Sequence, residues 1–144
     1  MPWSHAGKDQ YLHDGYSVLI TNKKTQGYLV VDLGTRTLGI EEAFMPTVTT
    51  THPGPVTRSI FVIKKVEKED AFGNDDIIRY GQKVKIEVNP HLYRKPLWLS
   101  SCPLGPNMYS PVTRTQEACL TTKDVVYNNT WVIDSVDPNF RFEK

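Results

Sequence analysis

The sequence contains few of the residues that catalysis or metal binding requires. Its 144 residues include only two cysteines, Cys102 and Cys119, and four histidines, which are scattered over predicted loops and termini. The cysteines lack the spacing of zinc and dithiol sites, and no HExxH, GxSxG or GxxxxGK[ST] motif occurs. We therefore expect no metal, no cofactor and no enzymatic centre, and both cysteines are interpreted as reduced thiols that act as small apolar side chains.

Long apolar runs and an excess of one charge are also lacking. No apolar stretch approaches the roughly 18 residues of a membrane span, and the first residues lack the apolar core of a signal peptide. The 17 basic and 16 acidic side chains leave a net charge of +1, whereas nucleic-acid-binding domains are usually strongly basic. These features favour an intracellular protein that binds neither membrane nor nucleic acid.

The sequence does contain an internal repeat, because four short apolar runs of the second half follow the same order as four runs of the first half. The matching pairs are Gly15-x-x-Val18-x-Ile20 with Gly81-x-x-Val84-x-Ile86, Leu29-Val30-Val31 with Leu97-Trp98-Leu99, Glu42-Ala43-Phe44-Met45 with Glu117-Ala118-Cys119-Leu120, and Phe61-Val62-Ile63-x-x-Val66 with Trp131-Val132-Ile133-x-x-Val136. A repeat of this kind is the first signal to use in predicting a fold.

Each repeat unit is predicted to form four β-strands, because turn-forming residues separate short β-branched runs and no segment has a sustained helical period. The predicted strands span residues 16–21, 28–33, 42–45 and 59–66, and then 77–88, 96–101, 117–122 and 130–136. Phe140-Arg141-Phe142 resembles Ile78-Arg79-Tyr80, which opens the second unit, so a third copy is predicted to begin there. Three copies of four strands make a β-trefoil, and the prediction is an all-β, trefoil-like fold.

The predicted organisation has four parts along the chain. Residues 1–13 form an N-terminal arm, residues 14–76 the first trefoil unit, residues 77–138 the second, and residues 139–144 the start of an incomplete third unit. Two proline-rich loops, residues 46–55 and 102–111, interrupt the units. Because proline fixes φ and lowers the entropy lost on docking, we expect both loops to contact partners.

The predicted core consists of apolar residues from the last strand of each unit, together with Trp98 from the second strand of the second unit. Its members are Phe61, Ile63, Trp98, Trp131 and Ile133. Phe61 and Trp131 occupy equivalent places, and equivalent aromatic residues near a pseudo-threefold axis would share one core. The alternative for Trp131 is a stacking platform for a sugar or a base.

Basic residues on two equivalent predicted turns, together with one proline-rich loop, are the predicted partner-binding residues. They are Lys23, Lys24, Arg94, Lys95, Pro103, Pro106 and Tyr109. The two basic pairs are expected at one end of the barrel. There they would either be solvated or contact an acidic protein partner.

An ordered series of motifs resembles a known family. The series is Arg58-x-x-Phe61-Val62-Ile63-x-x-Val66, Ile78-Arg79-Tyr80-Gly81-Gln82, Leu97-Trp98-Leu99-Ser100-Ser101, Gln116-Glu117-x-x-Leu120-Thr121, Trp131 and Asp137-Pro138-x-x-Arg141-Phe142-Glu143. The repeat resembles the MIR-type trefoil repeat, and the series is more closely similar to the cilia- and flagella-associated protein 161 family of axonemal microtubule inner proteins. In that family a longer N-terminal segment and a complete third repeat would be expected.

The resemblance implies a non-enzymatic structural role inside the doublet microtubules of motile cilia and flagella. The implied partners are α/β-tubulin, bound on its luminal face, and neighbouring inner proteins. The alternative is a MIR- or trefoil-type binding module for a protein or carbohydrate ligand. Ricin-type sugar-binding trefoils carry Gln-x-Trp, and no glutamine here is followed two positions later by tryptophan. An enzyme ranks last, although a fold alone does not decide a function.

Overall fold

The computed structural model describes residues 11–36, 43–49, 55–67, 75–101, 118–124 and 129–134. Its class is all-β, with antiparallel strands that form a curled half-barrel. The strands are β1 (Ser17–Leu19), β2 (Leu29–Arg36), β3 (Ala43–Val48), β4 (Ile60–Lys65), β5 (Lys83–Val88), β6 (Trp98–Ser101), β7 (Ala118–Thr121) and β8 (Trp131–Val132), and a 3-10 turn at Thr57–Ser59 precedes β4. The predicted all-β class is confirmed, and each strand overlaps one predicted segment.

The predicted loop at residues 46–55 begins too early, because β3 continues through Pro46 to Val48. A central strand pairs with a neighbour on each side, and proline has no N–H to donate to either of them. Pro46 pairs with Val31 of β2, whereas the pairing of β3 with β7 covers only Ala43 and Phe44. Pro46 therefore lies at an edge position, where a missing donor is tolerated.

The strand pairing repeats between the two halves of the chain. In the first half β1 pairs with β4 and β2 pairs with β3, and in the second half β5 pairs with β8 and β6 pairs with β7. Two further pairings, β4 with β5 and β3 with β7, join the halves. Each half therefore has its first strand beside its fourth and its two middle strands in a hairpin.

The register of the outer strands repeats as well. Val18 lies opposite Phe61 in the first half, and its sequence equivalent Val84 lies opposite Trp131, the equivalent of Phe61, in the second. The sequence match of these four residues therefore corresponds to a match in cross-strand position.

The turns that lead into β1 and β5 share a backbone hydrogen bond that a glycine amide donates. The Gly15 amide donates to the Ile63 carbonyl at 2.7 Å, and the Gly81 amide donates to the Ile133 carbonyl at 3.0 Å. The φ angles of the two glycines are 87° and 83°. This is a left-handed conformation that glycine adopts without the steric cost of a Cβ atom.

The second hairpin does not keep the register of the first. Val31 lies opposite Pro46, and the residues that follow from the sequence match are Leu99 and Thr121, but Leu99 faces Leu120. Ala43 is accordingly buried while Ala118, its proposed equivalent, is exposed. A four-residue match identifies a strand but not its register, and a slip of one residue moves every side chain to the other face.

The core has two clusters. The first core contains Val31, Phe44, Phe61, Val88, Leu97 and Leu120, and the second core contains Ile63, Ile78 and Val84, with Leu12, Val18, Trp131 and Ile133 packed against it. Burying apolar surface in such clusters is the main favourable contribution to folding.

The five predicted core residues differ in burial. Phe61 and Ile63 are buried, as predicted. Trp131 and Ile133 are only partly buried, at the border of the second core, and the Trp131 indole Nε1 donates to the Leu99 carbonyl at 2.8 Å. Trp98 is partly buried beneath the Lys85 ammonium, which lies 5.2 Å from its ring centre. Trp98 therefore serves the outer face of the sheet rather than the core.

Candidate functional site

Lys23 and Lys24, two of the predicted partner-binding residues, are exposed in the turn between β1 and β2. The side chain of Asn22 shapes this turn, because its Oδ1 accepts hydrogen bonds from the amides of Lys24 at 3.0 Å and Thr25 at 2.9 Å. Such an Asx-type turn is a local conformation that asparagine stabilises by itself. The two ammonium groups are thus presented on a turn of defined shape.

Arg94 and Lys95 are exposed in the equivalent turn between β5 and β6. The Arg94 guanidinium lies 4.9 Å from the centre of the Tyr93 ring, and Nη1 donates to the Tyr93 hydroxyl at 3.2 Å. Tyr93 also packs edge-on against Phe44 of the first core, with 5.3 Å between ring centroids. The core thereby fixes the base of this turn. That the two basic turns share one end of the barrel stays a prediction.

The other predicted partner-binding residues, Pro103, Pro106 and Tyr109, lie outside the described residues, as does the loop at 102–111. Of the loop at 46–55, residues 46–49 and 55 are described, and residues 46–48 belong to β3.

A cavity of about 550 Å³ lies where the two units begin, and the sequence reasoning did not predict it. Tyr11 and Leu12 line it from the segment before β1, residues 77–80 from the segment before β5, and Ile133 from the position after β8. These described lining residues are apolar or aromatic apart from Arg79. A repeated apolar residue before each glycine turn, Leu12 and Ile78, is the signal from which the sequence could have indicated it.

Backbone pairing between the two opening segments builds one wall of this cavity. The Ile78 amide donates to the Leu12 carbonyl at 2.8 Å, and the Asp14 amide donates to the Asp76 carbonyl at 2.7 Å. His13 and Ile77 form an antiparallel bridge between these bonds. The opening of the second unit therefore lies directly beside the opening of the first.

Arg79, which lines the cavity, forms an ion pair with Asp75. Arg79 Nη1 and Nη2 donate to the two carboxylate oxygens of Asp75 at 3.0 and 2.8 Å. These hydrogen bonds are the main reason that the pKa of Asp75 is lowered from 3.8 to about 2. A two-point Arg–carboxylate pair fixes geometry as well as charge, so we name it the Asp75–Arg79 clamp.

Lys65 brings a buried charge to the same clamp. Its side chain is 1% exposed, and Nζ lies 3.6 Å from Asp75 Oδ1. Nζ also donates to the Asp75 carbonyl at 3.1 Å. A buried ammonium is tolerated only when it is paired and hydrogen-bonded, so Asp75 joins the end of β4 to the segment before β5.

A second charged group lies on the outer face of the sheet. Lys85 Nζ contacts Asp124 Oδ1 at 2.7 Å, and Asn129 Nδ2 donates to the same carboxylate oxygen at 2.7 Å. The hydrogen bond from Lys85 is the main reason that the pKa of Asp124 is lowered, and the bond from Asn129 adds to the effect. Nearby, Lys64 pairs with the buried Glu87 at 3.2 Å. Because each ammonium here has its own carboxylate, this face is a poor site for an anion.

Within the described residues, no group of three or more His, Cys, Asp or Glu side chains could hold a metal ion. In the same part of the chain, no helix is long and apolar enough to cross a membrane. The described residues thus include an apolar cavity and two exposed basic turns, and each is a feature through which a protein can contact a ligand or another chain.

Comparison with known proteins gives no further assignment, because neither a protein-family model nor a curated protein sequence matches this chain.

Proposed function

We propose that this chain is a non-enzymatic structural protein of the axoneme, a microtubule inner protein that binds the luminal face of doublet microtubules in motile cilia and flagella. Its partners would be α/β-tubulin and neighbouring inner proteins. The proposal starts from the resemblance of the ordered motifs to axonemal inner proteins. The observation that supports it best is the pair of equivalent turns that expose Lys23 with Lys24 and Arg94 with Lys95.

We also propose that the half-barrel is two units of a MIR-type β-trefoil. In a trefoil the first and fourth strands of each unit form the barrel, and the second and third form a hairpin. The pairing of β1 with β4, β4 with β5 and β5 with β8 supports this assignment, as do the two hairpins. The shared glycine turns at Gly15 and Gly81 support it further.

The two basic turns carry the partner contact in this proposal. Basic side chains that face acidic side chains across an interface steer association and select the correct partner. Lys64 and Lys85 of the outer face, in contrast, are only partly exposed or held against carboxylates of the same chain.

The test is axonemal retention of the tagged full chain in cells with motile cilia. After detergent removes the membrane, salt washing extracts proteins held on the outside of doublets, whereas a protein enclosed in the lumen stays with them. We expect the wild-type chain to stay. We expect Lys23→Glu/Lys24→Glu to lower the retained fraction severalfold, because it reverses one basic turn.

The matched control is Lys83→Glu/Lys123→Glu, which makes the same charge change at two exposed lysines outside the basic turns. Lys83 pairs with the exposed Glu67 at 3.6 Å, and an exposed ion pair of this kind contributes little to stability. Equal loss in both variants would show that net charge matters rather than the turn. A wild-type chain absent from axonemes would overturn the proposed function.

The cavity favours a second candidate, the binding module for a protein or carbohydrate ligand. Its volume of about 550 Å³ lies in the range of small-molecule pockets. The test is to screen the purified chain against a panel of glycans and peptides. A ligand whose binding is weakened by Tyr80→Ala, together with a chain that is absent from axonemes, would favour this candidate instead.

A further inference from the structure

A six-residue pattern recurs at the cavity and again later in the chain. Asp75-x-x-Ile78-Arg79-Tyr80 ends in three residues that line the cavity, and Asp137-x-x-Phe140-Arg141-Phe142 follows it by 62 positions. Both have an aspartate, an apolar residue three positions on, then arginine and an aromatic residue. Asp9-x-x-Leu12-His13 is a shorter form, 66 positions before the first of these.

Each residue of this pattern has a distinct environment in the copy at 75–80. Asp75 and Arg79 form the two-point clamp. Ile78 is 8% exposed and belongs to the second core. Tyr80, the last residue of the pattern, is 70% exposed. The apolar fourth residue is thus the one that anchors the segment, and the aromatic residue at the end faces solvent.

Successive copies are placed side by side. The Ile78 amide donates to the Leu12 carbonyl, so the second copy pairs with the first along the backbone. The cavity is lined by both of these copies and by Ile133. It therefore occupies the place next to the two copies where one more copy would lie.

The chain can reach this place. Ile133 itself lines the cavity, and Phe140 follows seven positions later. Seven residues span up to about 23 Å when extended, so a short connection is enough.

We propose that the cavity is the docking site of the chain's own segment at residues 137–142. The Phe140 ring packs against Leu12, Ile78 and Ile133. Arg141 pairs with Asp137 as Arg79 pairs with Asp75, so the segment brings its own counter-charge. Phe142 stays in solvent, as Tyr80 does. This inference rests on the repeated pattern and the cavity. It does not depend on the axonemal role, and it competes with the ligand-binding candidate, because a cavity that holds residues 137–142 cannot also hold a ligand.

The test is NMR of the isotope-labelled full chain in solution. We expect nuclear Overhauser cross-peaks between the Phe140 ring protons and the methyl groups of Leu12, Ile78 and Ile133. Phe140→Leu should abolish these cross-peaks and shift the three residues' methyl resonances, because the ring current is lost. Phe142→Leu is the matched control, and we expect it to leave these resonances in place.

Two further measurements make the outcome unambiguous. The methyl resonances of Val31 and Leu97 in the first core report whether each variant is folded, and the wild-type cross-peaks need no variant at all. An isotope-filtered sample that mixes labelled and unlabelled chains separates contacts within a chain from contacts between chains.

A wild-type chain without these cross-peaks overturns the proposal. So do cross-peaks that arise only between chains, since the occupant is then a second copy. Axonemal retention is not a readout in this experiment. The docking proposal can therefore fail while the proposed function stands, and the proposed function can fail while the docking proposal stands.

Discussion

Phe61 and Trp131 lie at the same cross-strand position in the two units, yet their surroundings differ. Phe61 is fully buried in β4, a six-residue strand that pairs with β1 on one side and β5 on the other. Trp131 is partly buried in β8, a two-residue strand whose pairing within the described residues is with β5. Within the described residues, the more deeply buried aromatic residue is therefore the one whose strand is paired on both sides.

The two aromatic residues are also stabilised in different ways. Phe61 belongs to the first core and contributes by apolar burial. Trp131 lies at the edge of the second core, and its indole N–H reaches the Leu99 carbonyl in β6. An indole suits such a border, because one side of it is apolar and its N–H requires a partner.

The largest expected effect is that of Phe61→Ala, which leaves a cavity between β1 and β5. We expect it to lower the free energy of unfolding by about 3–5 kcal/mol. The measurement is urea unfolding at equilibrium. Trp131→Ala is the comparison, and its loss should be clearly smaller because the indole is already partly exposed. Equal losses would mean that the two positions are equivalent in energy despite their different burial.

The second-largest loss of stability is expected at Gly15 and Gly81, and it should be the same at both glycines. At Gly15 and Gly81, an added Cβ atom would meet nothing within 4 Å, so the cost of alanine comes from the positive φ alone. We expect Gly15→Ala and Gly81→Ala each to cost about 1–2 kcal/mol. Thermal or urea unfolding of both variants checks this.

Gly34→Ala is the control for this pair, because Gly34 is exposed and lacks a positive φ. Its effect should stay within about 0.5 kcal/mol. Clearly unequal costs at Gly15 and Gly81 would contradict the shared turn geometry.

A smaller effect is expected from Trp131→Phe, which keeps an aromatic ring but removes the hydrogen bond to the Leu99 carbonyl. We expect a loss of about 0.5–1.5 kcal/mol in the free energy of unfolding. Trp98→Phe should cost less, because the Trp98 ring lies on the outer face under Lys85. If Trp98→Phe lowers the free energy of urea unfolding more than Trp131→Phe does, Trp98 contributes more to stability than Trp131.

The smallest effect concerns pH, because Asp75 and Arg79 are 37% and 28% exposed and water screens their attraction. Arg79 lowers the pKa of Asp75 from 3.8 to about 2 in the folded state. Since the folded-state pKa lies below the unfolded value, the clamp's contribution is complete above about pH 4 and is lost as pH falls towards 2.

Unfolding measurements between pH 2 and pH 5 check this sign. The stability difference between the wild-type chain and Asp75→Asn should narrow as pH falls through this window. Asp134→Asn, at an exposed carboxylate, is the control. A difference that is constant with pH would show that the clamp does not depend on the charge of Asp75.

The sequence by itself determined the strands and the repeat. Alternating apolar residues between turn-forming residues are a local pattern, so each of the eight strands in the described part of the chain could be located, although β3 extends through Pro46. Gly15 and Gly81 could be matched because a left-handed turn constrains the residue type directly. The exposure of both basic turns also followed from local sequence, since charged residues within turns remain solvated.

Only the tertiary structure decided the register of the second hairpin, the partial burial of Trp131 and the burial of Lys65. Lys65 shares a face of β4 with Phe61 and Ile63, and its ammonium can be buried there because Asp75 arrives from the next segment. The cavity beside Ile78 likewise depends on the approach of residues 11–12, 77–80 and 133. Local periodicity indicates which face a side chain occupies, but burial and pairing depend on residues that only the folded chain brings together.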